Sequence, residues 1–406
     1  MRYFDKARKQ HAEMLTYCMN VHPGESLEDQ IRNIETLPPQ VRNALPQRAI
    51  CDDGNGAFPL GLRFSAIAAA EFCASAEARA RLCKALAEKR LAPFTMNAFP
   101  FGAFHGTAVK ENAYRPTWRE TARVEYTIAA AQTLAALMPE NIARGSVSTC
   151  PLTWKGFSAA GANGANGAAD SALAIRNVGV ALEAFRRIHE ESGKFLILSM
   201  EPEPGCFPET TDETIEVINA IRASVPEALH PHLGVCFDTA HLAVEFEDLA
   251  DSLRKFAAAG IQIGKVQLSA ALECDDTPEA RADLARYAEG TYLHQTAVCA
   301  ADSFRFFNDL PEFLDSTLSA VCGESAAIVR SHFHIPLHES PAGQLRSTTP
   351  LLRDERFLAA LRDSGCEQLE VETYTWDVWR RCSGSAEDIC SGIAREISAM
   401  RESFDG

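Results

Sequence analysis

The stretch FLILSME, residues 195–201, is a continuous apolar run that ends in a carboxylate. Two other stretches repeat this pattern, LGVCFD at residues 233–238 and LEVE at residues 369–372. Continuous apolar runs of this length are typical of parallel strands that are covered on both faces. We therefore predict a parallel sheet whose strands carry acidic residues at their carboxyl ends.

Strand-like runs alternate with helical patterns along most of the chain. Further strands are predicted at residues 15–21, 60–64, 94–99, 145–150 and 263–268, and Ser26 is the predicted cap of the first helix. Parallel strands joined through helices have right-handed crossovers, and eight such units form a (β/α)₈ TIM barrel. An open doubly wound sheet is the alternative, but no G-x-G-x-x-G or Walker A motif follows the first strand. We predict the α/β class and a TIM barrel.

About a hundred residues separate the predicted seventh and eighth strands, which is more than one helical crossover needs. Residues 278–287 and 303–318 have helical patterns, and residues 328–338 form a polar strand-like run. We therefore predict a single domain over residues 1–406, with an inserted helical arm at about residues 270–330 after strand seven.

The composition is that of a globular protein with an acidic balance. The chain of 406 residues has 39 Lys and Arg against 55 Asp and Glu, for a net charge of −16. A protein that binds nucleic acid needs a basic stripe that replaces the counterions of the phosphates. We therefore expect no nucleic-acid partner.

The cysteines and the apolar runs point to the cell compartment. The 13 cysteines form no C-x-x-C pair, which favours reduced core thiols over a zinc ribbon. No apolar run reaches the ~18 residues of a membrane span, and residues 1–17 lack the apolar core of a signal peptide. We expect a cytoplasmic protein without direct membrane insertion.

Three acids at predicted strand ends are the first candidates for a functional site. They are Glu201, Asp238 and Glu372. The carboxyl ends of barrel strands line the active sites of TIM barrels, so we expect these side chains to meet. Buried carboxylates that lie close together need a divalent cation, a basic side chain or a bound proton. A helix cap or a surface ion pair explains any one of these acids alone. It explains poorly why three predicted strands each end in an acid.

Histidines add nitrogen donors near the same strand ends. His241 follows Asp238 by three residues, and His332 and His334 lie on one side of an extended segment. Carboxylate oxygens combined with imidazole suit Zn²⁺, Mn²⁺ or a related ion. Each histidine also has a structural interpretation, as a cap for His241 and as part of a solvated strand edge for the H-x-H pair.

Several motifs resemble the xylose isomerase-like TIM-barrel superfamily, which includes sugar isomerases, ketose 3-epimerases and the endonuclease IV group. They are EPEP after the fifth strand, CFDTAH after the sixth and the glutamate that ends the last. A closer resemblance is to the EboE family of metabolite traffic proteins of the bacterial ebo gene cluster. Its blocks, which span nearly the whole chain, are LTYCMNVHPGE, TMNAFPFGAFHG, VSTCPLTWK, VCFDTAHLAVEFED, KVQLSAAL, SHFHIPLH and LEVETYTW.

The superfamily resemblance implies one divalent metal ion, Zn, Mn or Mg, at the carboxyl-terminal mouth of the barrel. The positions of this chain that match the ligands are Glu201, Asp238, Gln267 and Glu372. Gln267 replaces the usual histidine, and a neutral amide oxygen is a weaker ligand. From the residues themselves we therefore expect His332 or His334 to supply the missing imidazole.

The resemblance also implies a sugar isomerase or epimerase-like enzyme that acts on a small hydroxylated metabolite by proton transfer next to a carbonyl. Glu201 and Glu372 match the pair that removes and returns the proton, and His241 matches a substrate contact. The metal would stabilise the developing enediolate charge.

Two other functions are consistent with the same residues. One is a non-catalytic, metal-containing barrel that binds or channels a precursor metabolite for export. The other is an endonuclease IV-like, metal-dependent phosphodiesterase, against which the net charge of −16 and Gln267 both argue.

The remaining candidates are contacts to a small-molecule substrate. We predict them at His22, Asn97, His105, Trp154, Lys155 and Trp376. Aromatic loop residues such as Phe101 and the two tryptophans would form apolar walls, and Lys155 and Arg330 would reach a phosphate. His22 and Asn97 are equally well explained as turn residues. Because dimers are frequent in the superfamily, a homodimer is one expected arrangement.

Overall fold

The structure, a computed structural model, describes residues 14–49, 55–106, 108–157, 165–301, 303–317 and 327–405. Most of the amino-terminal segment that is predicted not to be a signal peptide lies outside the described residues. No helix in the described ranges is both long enough and apolar enough to cross a bilayer.

Eight parallel strands form the central sheet. In chain order they are β1 (Leu15–Tyr17), β2 (Phe58–Arg63), β3 (Leu91–Asn97), β4 (Arg144–Thr149), β5 (Phe195–Met200), β6 (Leu233–Asp238), β7 (Ile263–Leu268) and β8 (Leu369–Val371). The hydrogen-bonded order is β1-β8-β7-β6-β5-β4-β3-β2. A parallel bridge between Cys18 and Gly61 connects the two ends of this order, so the ring is nearly closed. The predicted (β/α)₈ TIM barrel is confirmed.

The strand bounds follow the apolar runs in part: β1 ends at Tyr17, four residues before its predicted end, because Met19–Val21 form a 3₁₀ turn. The bounds of β5, β7 and β8 agree with the prediction. β3 begins at Leu91, three residues earlier than predicted, because Leu91 and Ala92 pair with Phe58 and Pro59 of β2.

Helices pack around the sheet. The longer ones are Leu27–Ala44, Ala66–Ala74, Ala76–Lys89, Thr121–Leu137, Ala165–Ser192, Thr211–Ser224, Leu249–Ala258, Glu355–Ser364 and Ile389–Asp405. Shorter ones lie at Thr239–Val244, Pro278–Ala285, Leu310–Asp315, Thr349–Leu352 and Trp376–Ser383, and 3₁₀ turns at Met19–Val21, Gln47–Ala49, Lys110–Tyr114, Lys155–Phe157 and Glu227–His232. The first helix begins at its predicted cap: Ser26 Oγ accepts from the Asp29 amide at 3.1 Å, and the Asp29 carboxylate accepts from the Ser26 amide at 3.2 Å.

The chain between β7 and β8 builds a second, antiparallel sheet, which we call the insertion sheet. Its hydrogen-bonded order is Ser303–Phe307, Thr296–Ala300, Ile328–Ser331, Leu272–Asp275 and Arg346–Ser347. The insertion after strand seven is confirmed, but its helical character is corrected. The predicted helix at residues 303–318 is a strand followed by the helix Leu310–Asp315, and position 318 lies outside the described residues. A further two-stranded sheet pairs Thr153–Trp154 with Cys206–Phe207.

The interior of the barrel contains a polar layer. Lys265 of β7 and Glu370 of β8 form an ion pair with both side chains fully buried. Gly61 of β2 provides the room, because a Cβ there would lie 1.6 Å from Glu370 Oε1. Gln267 and Glu372 follow two residues further along the same two strands, so this layer lies directly beneath the strand ends.

Candidate metal centre

The three acids at the strand ends lie at one end of the barrel. Glu201 directly follows β5, Asp238 ends β6, and Glu372 directly follows β8. Each is at most 3% exposed. Ligand oxygens of Glu201 and Asp238 lie within 4.8 Å of each other and of a His241 nitrogen, and those of Asp238 and Glu372 lie equally close to His334. The parallel register therefore brings together side chains that are far apart in sequence.

Three histidines meet the acids. His241 is the third residue of the short helix Thr239–Val244, and His332 and His334 follow the insertion strand Ile328–Ser331. One ring nitrogen from each lies within 4.8 Å of the other two. The insertion after strand seven thus supplies two imidazoles to a site whose acids come from the barrel.

The hydrogen bonds of the three rings fix which nitrogen carries the proton. Nδ1 of His241 lies 2.9 Å from the carbonyl of Pro202, and Nδ1 of His334 lies 2.9 Å from the carbonyl of Glu372. Nδ1 of His332 lies 2.7 Å from the side-chain oxygen of Gln295. Since these oxygens only accept, each Nδ1 donates, and each Nε2 of a neutral ring keeps a lone pair. This is the second-shell arrangement of metal-binding histidines.

Two of these lone pairs face each other. His332 Nε2 and His334 Nε2 are 3.1 Å apart. Burial lowers the pKa of His334 to about 4 and that of His332 well below its usual value, so neither ring readily takes up a proton. Two acceptors at hydrogen-bond distance without a proton repel each other, and a cation between them would remove that repulsion.

Two carboxylate oxygens also lack a partner. Asp238 Oδ1 accepts from the amides of Ala240 at 2.8 Å and His241 at 3.1 Å, and from Ser269 Oγ at 2.6 Å. No donor among the described residues reaches Asp238 Oδ2 or Glu201 Oε2, although both are buried. Unsatisfied buried oxygens are costly, so the donor set of oxygen and imidazole nitrogen fits a divalent cation.

Gln267 contacts the site through its amide nitrogen. Its Nε2 donates to Glu372 Oε1 at 2.8 Å, and its oxygen lies 3.2 Å from Cys236 Sγ. Asn20 and Asn97 donate to the same Glu372 oxygen at 2.7 and 3.1 Å. In this arrangement Gln267 orients Glu372, while Glu372 Oε2 lies 3.4 Å from His334 Nδ1.

The charges in the site are strongly coupled. Burial raises the pKa of Glu201 to about 8, with Asp238 adding to the rise and His241 opposing it. Burial alone would lower the pKa of His241, but the neighbouring acids Asp238, Glu203 and Glu201 raise it overall. The cluster is therefore short of positive charge.

A cavity that is partly open to solvent lies over the cluster. Its volume is about 50 Å³, and one ordered water needs roughly 10–15 Å³, so it has room for a few waters. The rings of Phe104, Tyr292 and Tyr374 pack on each other over it, with centroids 5.1 to 5.3 Å apart.

The cover of this cavity is made by two loops that bind each other. The backbone amides of Val109 and Lys110 donate to the carbonyl of Thr291 at 2.7 and 2.9 Å. Tyr292 Oη lies 2.9 Å from His105 Nδ1. The loop after β3 and the insertion therefore meet above the strand ends.

Among the predicted substrate contacts, Asn97 and His241 line the cavity. The others do not line it. His22 bonds Tyr17, His105 is part of the cover, and Trp154 stacks on Tyr114. Trp376 is fully buried and donates to Glu396. Lys155 pairs with Glu209 and Glu213, and Arg330 pairs with Glu273.

Sequence reasoning missed several residues of the site. Asn20 and Glu203 line the cavity, each three residues beyond the end of its strand, β1 or β5. The rule that found the three acids covers only the end of an apolar run, and Asn20 lies inside the strand predicted at residues 15–21. Glu203 accepts from Tyr114 Oη at 2.7 Å and from Gln295 Nε2 at 3.2 Å. Gln295 comes from the insertion, and no sequence pattern marks it.

No protein-family model and no curated protein matches the chain. A crystal structure of a xylose isomerase-like TIM barrel protein from Mycobacterium smegmatis in complex with magnesium is similar over 97% of both chains, with a TM-score of 0.50 and 12% identity. The chain has the fold of a xylose isomerase-like TIM barrel.

Two further solved structures are more distantly similar. A xylose isomerase domain protein from Planctomyces limnophilus has a TM-score of 0.40 and 10% identity, over 80% of this chain and 89% of that one. An AP endonuclease of family 2 from Brucella melitensis has a TM-score of 0.35 and 14% identity, over 63% of this chain and 79% of that one. At these scores they add nothing to the conclusion about the fold.

Proposed function

We propose that the chain is a divalent-metal-dependent isomerase or epimerase of the xylose isomerase-like superfamily, acting in the cytoplasm on a small hydroxylated metabolite. The observation that carries the proposal is the convergence of three buried imidazoles with Glu201, Asp238 and Glu372 beside one cavity, where Asp238 Oδ2 and Glu201 Oε2 have no donor among the described residues. The closer resemblance to the EboE family supports a metabolite as the ligand.

The proposed ligand residues are Glu201, Asp238, His241, His332, His334 and Glu372. Gln267 holds Glu372 in place through its amide, which differs from the role of ligand that the resemblance implies. When bound, the metal would supply Lewis-acid stabilisation of negative charge on a substrate oxygen. The donor set of nitrogen and oxygen suits zinc or manganese.

Proton transfer is assigned to the two glutamates at the strand ends. Glu201 Oε2 has no donor among the described residues, so it is free to take a proton from a substrate carbon. Glu372 is held by three amide donors on Oε1, which leaves Oε2 as its reactive oxygen. A base must lie within hydrogen-bond reach of the proton that it removes. The aromatic cover keeps water away from the intermediate.

Proton exchange with solvent tests this function directly. The metal-reconstituted protein is incubated in D₂O with a panel of hydroxyketones and aldoses, and NMR follows deuterium at the carbon next to the carbonyl. We expect incorporation by the wild type, its loss in both Glu201→Gln and Glu372→Gln, and its retention in Glu227→Gln, a control at an exposed position.

Three results would contradict the proposal in different ways. Exchange that persists in both glutamine variants would place the chemistry elsewhere. Bound metal without exchange of any compound would favour the non-catalytic role, in which the barrel binds a precursor metabolite. Cleavage of an abasic-site oligonucleotide would favour the phosphodiesterase, although the cavity of about 50 Å³ is too small for DNA unless the cover opens.

A further inference from the structure

Lys110 is the one lysine or arginine among the described residues that line the cavity. Its Nζ donates to Asp309 Oδ2 at 2.6 Å and to the carbonyl of Glu289 at 3.1 Å, and both partners belong to the insertion. The Lys110 and Asp309 side chains are about one fifth exposed, at 21% and 17%, so solvent screens the pair only partly. Asp309 thus neutralises the cation that would otherwise attract an anion to the cavity.

The rest of the lining has the opposite charge. Glu201, Glu203 and Glu372 line the cavity, and Asp238 lies beside them. A phosphate or carboxylate that entered the cavity would face these four carboxyl groups, and Lys110, the one basic side chain among the described lining residues, is already paired with Asp309.

The basic residues that are predicted to reach a phosphate are also paired. Lys155 binds Glu209 and Glu213, and Arg330 binds Glu273. Arg63, which is 1% exposed, pairs with Glu25 and donates to the carbonyl of Gly102. In the described ranges, the site therefore lacks the cluster of free basic groups that recognises phosphate.

We infer that the cavity selects uncharged hydroxylated compounds and rejects their phosphorylated or carboxylated counterparts, and that Asp309 determines this specificity by holding Lys110. This inference rests on the proposed function, because it names the substrate class of the same site. Asp309, a residue of the insertion, is thus the residue that discriminates between neutral and anionic substrates.

The first test compares matched pairs of probes in the exchange assay: dihydroxyacetone with its phosphate, and fructose with fructose 6-phosphate. We expect the wild type to exchange the neutral member of a pair at least ten-fold faster. Asp309→Asn should shift that ratio at least five-fold toward the phosphate. Asp315→Asn, an exposed residue of the same insertion helix, removes the same charge and should leave the ratio unchanged. A wild type that prefers the phosphate would overturn the inference.

The second test needs no turnover, so it separates this inference from the proposed function. Inorganic phosphate is titrated into the purified protein by calorimetry. We expect no saturation below 10 mM, as an order of magnitude, for the wild type and Asp315→Asn, and at least ten-fold tighter binding by Asp309→Asn. If Asp309→Asn misfolds, Asp309→Ser, which also keeps a capping oxygen for the helix Leu310–Asp315, replaces it. Equal phosphate affinity of the folded variant and the wild type would overturn the inference.

Discussion

At the level of single residues, the imidazole orientation depends on groups outside the ligand set. Gln295 accepts the proton of His332 Nδ1 at 2.7 Å, and its own amide donates to Tyr114 Oη, Glu203 Oε1 and the carbonyl of Pro204. These donations place the amide nitrogen of Gln295 on the side of Tyr114 and Glu203, so its oxygen faces His332. Gln295 therefore holds the His332 tautomer that presents Nε2 to His334, 3.1 Å away.

Gln295→Leu should weaken metal binding. The substitution removes the acceptor for His332 Nδ1, so His332 can rotate or change tautomer. Loss of such an outer partner typically lowers metal affinity by about 10- to 100-fold, which competition with a chromophoric chelator measures. Gln40→Leu, at an exposed position of the helix Leu27–Ala44, is the control. Unchanged affinity in a folded Gln295→Leu protein would show that His332 does not depend on this contact.

Removing one partner of the buried pair Lys265–Glu370 should destabilise the protein strongly, whereas replacing both partners should cost little stability. Lys265→Met leaves the Glu370 charge buried without its partner, which costs about 3–5 kcal/mol of the free energy of unfolding. The double variant with Glu370→Met should recover most of that loss. Urea denaturation measures both. Lys84→Met, which breaks the exposed pair with Glu88, should change stability by less than about 1 kcal/mol. A double variant as unstable as the single one would contradict the pairing argument.

Strand-end chemistry made the acids of the site predictable, since Glu201, Asp238 and Glu372 each end an apolar run. The role of Gln267 was harder to infer, because sequence does not tell which end of an amide faces Glu372. Gln295 and Tyr292 could not be found, since only the folded insertion brings them to the barrel mouth.

At the level of elements, two buried arginines hold the loop that covers the site. Arg123, in the helix Thr121–Leu137, donates to the carbonyls of Pro116 at 2.8 Å, Ala98 at 3.1 Å and Phe99 at 2.8 Å. Arg63, at the end of β2, donates to the carbonyl of Gly102. The loop after β3 is thereby attached to the barrel wall at both its beginning and its end.

Arg123→Met should destabilise the protein by at least about 2 kcal/mol, because the two buried carbonyls of Ala98 and Phe99 lose their donor and each costs about 1–3 kcal/mol. Thermal and urea denaturation measure the loss. Arg176→Met, at an exposed position of the helix Ala165–Ser192, should have an effect within about 0.5 kcal/mol. Similar stabilities of the two variants would mean that these carbonyls find water instead.

The barrel elements and the position of the insertion were predictable, and the internal structure of the insertion was not. β5 is a continuous apolar run because helices and the barrel interior cover both of its faces. The segment at residues 303–307 is an edge strand, in which Phe304 pairs with Cys299 and Phe306 with Ala297. Its alternating pattern spans only five residues, which is too few to distinguish a strand from a helix by sequence.

At the level of the whole molecule, Glu396 of the last helix couples stability to pH. Its carboxylate accepts from Thr373 Oγ1 at 2.6 Å, the Leu337 amide at 3.0 Å and Trp376 Nε1 at 3.1 Å. Burial raises its pKa from 4.5 to about 8, although these donors oppose the rise. The folded state therefore holds a proton that the unfolded state releases at neutral pH.

Because the folded pKa of Glu396 is the higher one, its contribution to stability is greatest below pH 4.5 and is lost as the pH rises to about 8. The difference in the free energy of unfolding between wild type and Glu396→Gln should change with pH across this window in favour of the variant. Urea denaturation at several pH values measures it. A difference that is constant between pH 5 and pH 8 would contradict the assignment.

The central claim is that barrel acids and insertion histidines hold one divalent centre. Its most direct test is anomalous diffraction from crystals of the metal-reconstituted protein, recorded at the absorption edge of the metal. The account predicts a peak at about 2.0–2.2 Å from the Nε2 atoms of His332 and His334 and from an oxygen of Asp238. No peak there at full reconstitution, or a peak only at the separate group of His338, Glu339 and Glu387, would contradict it.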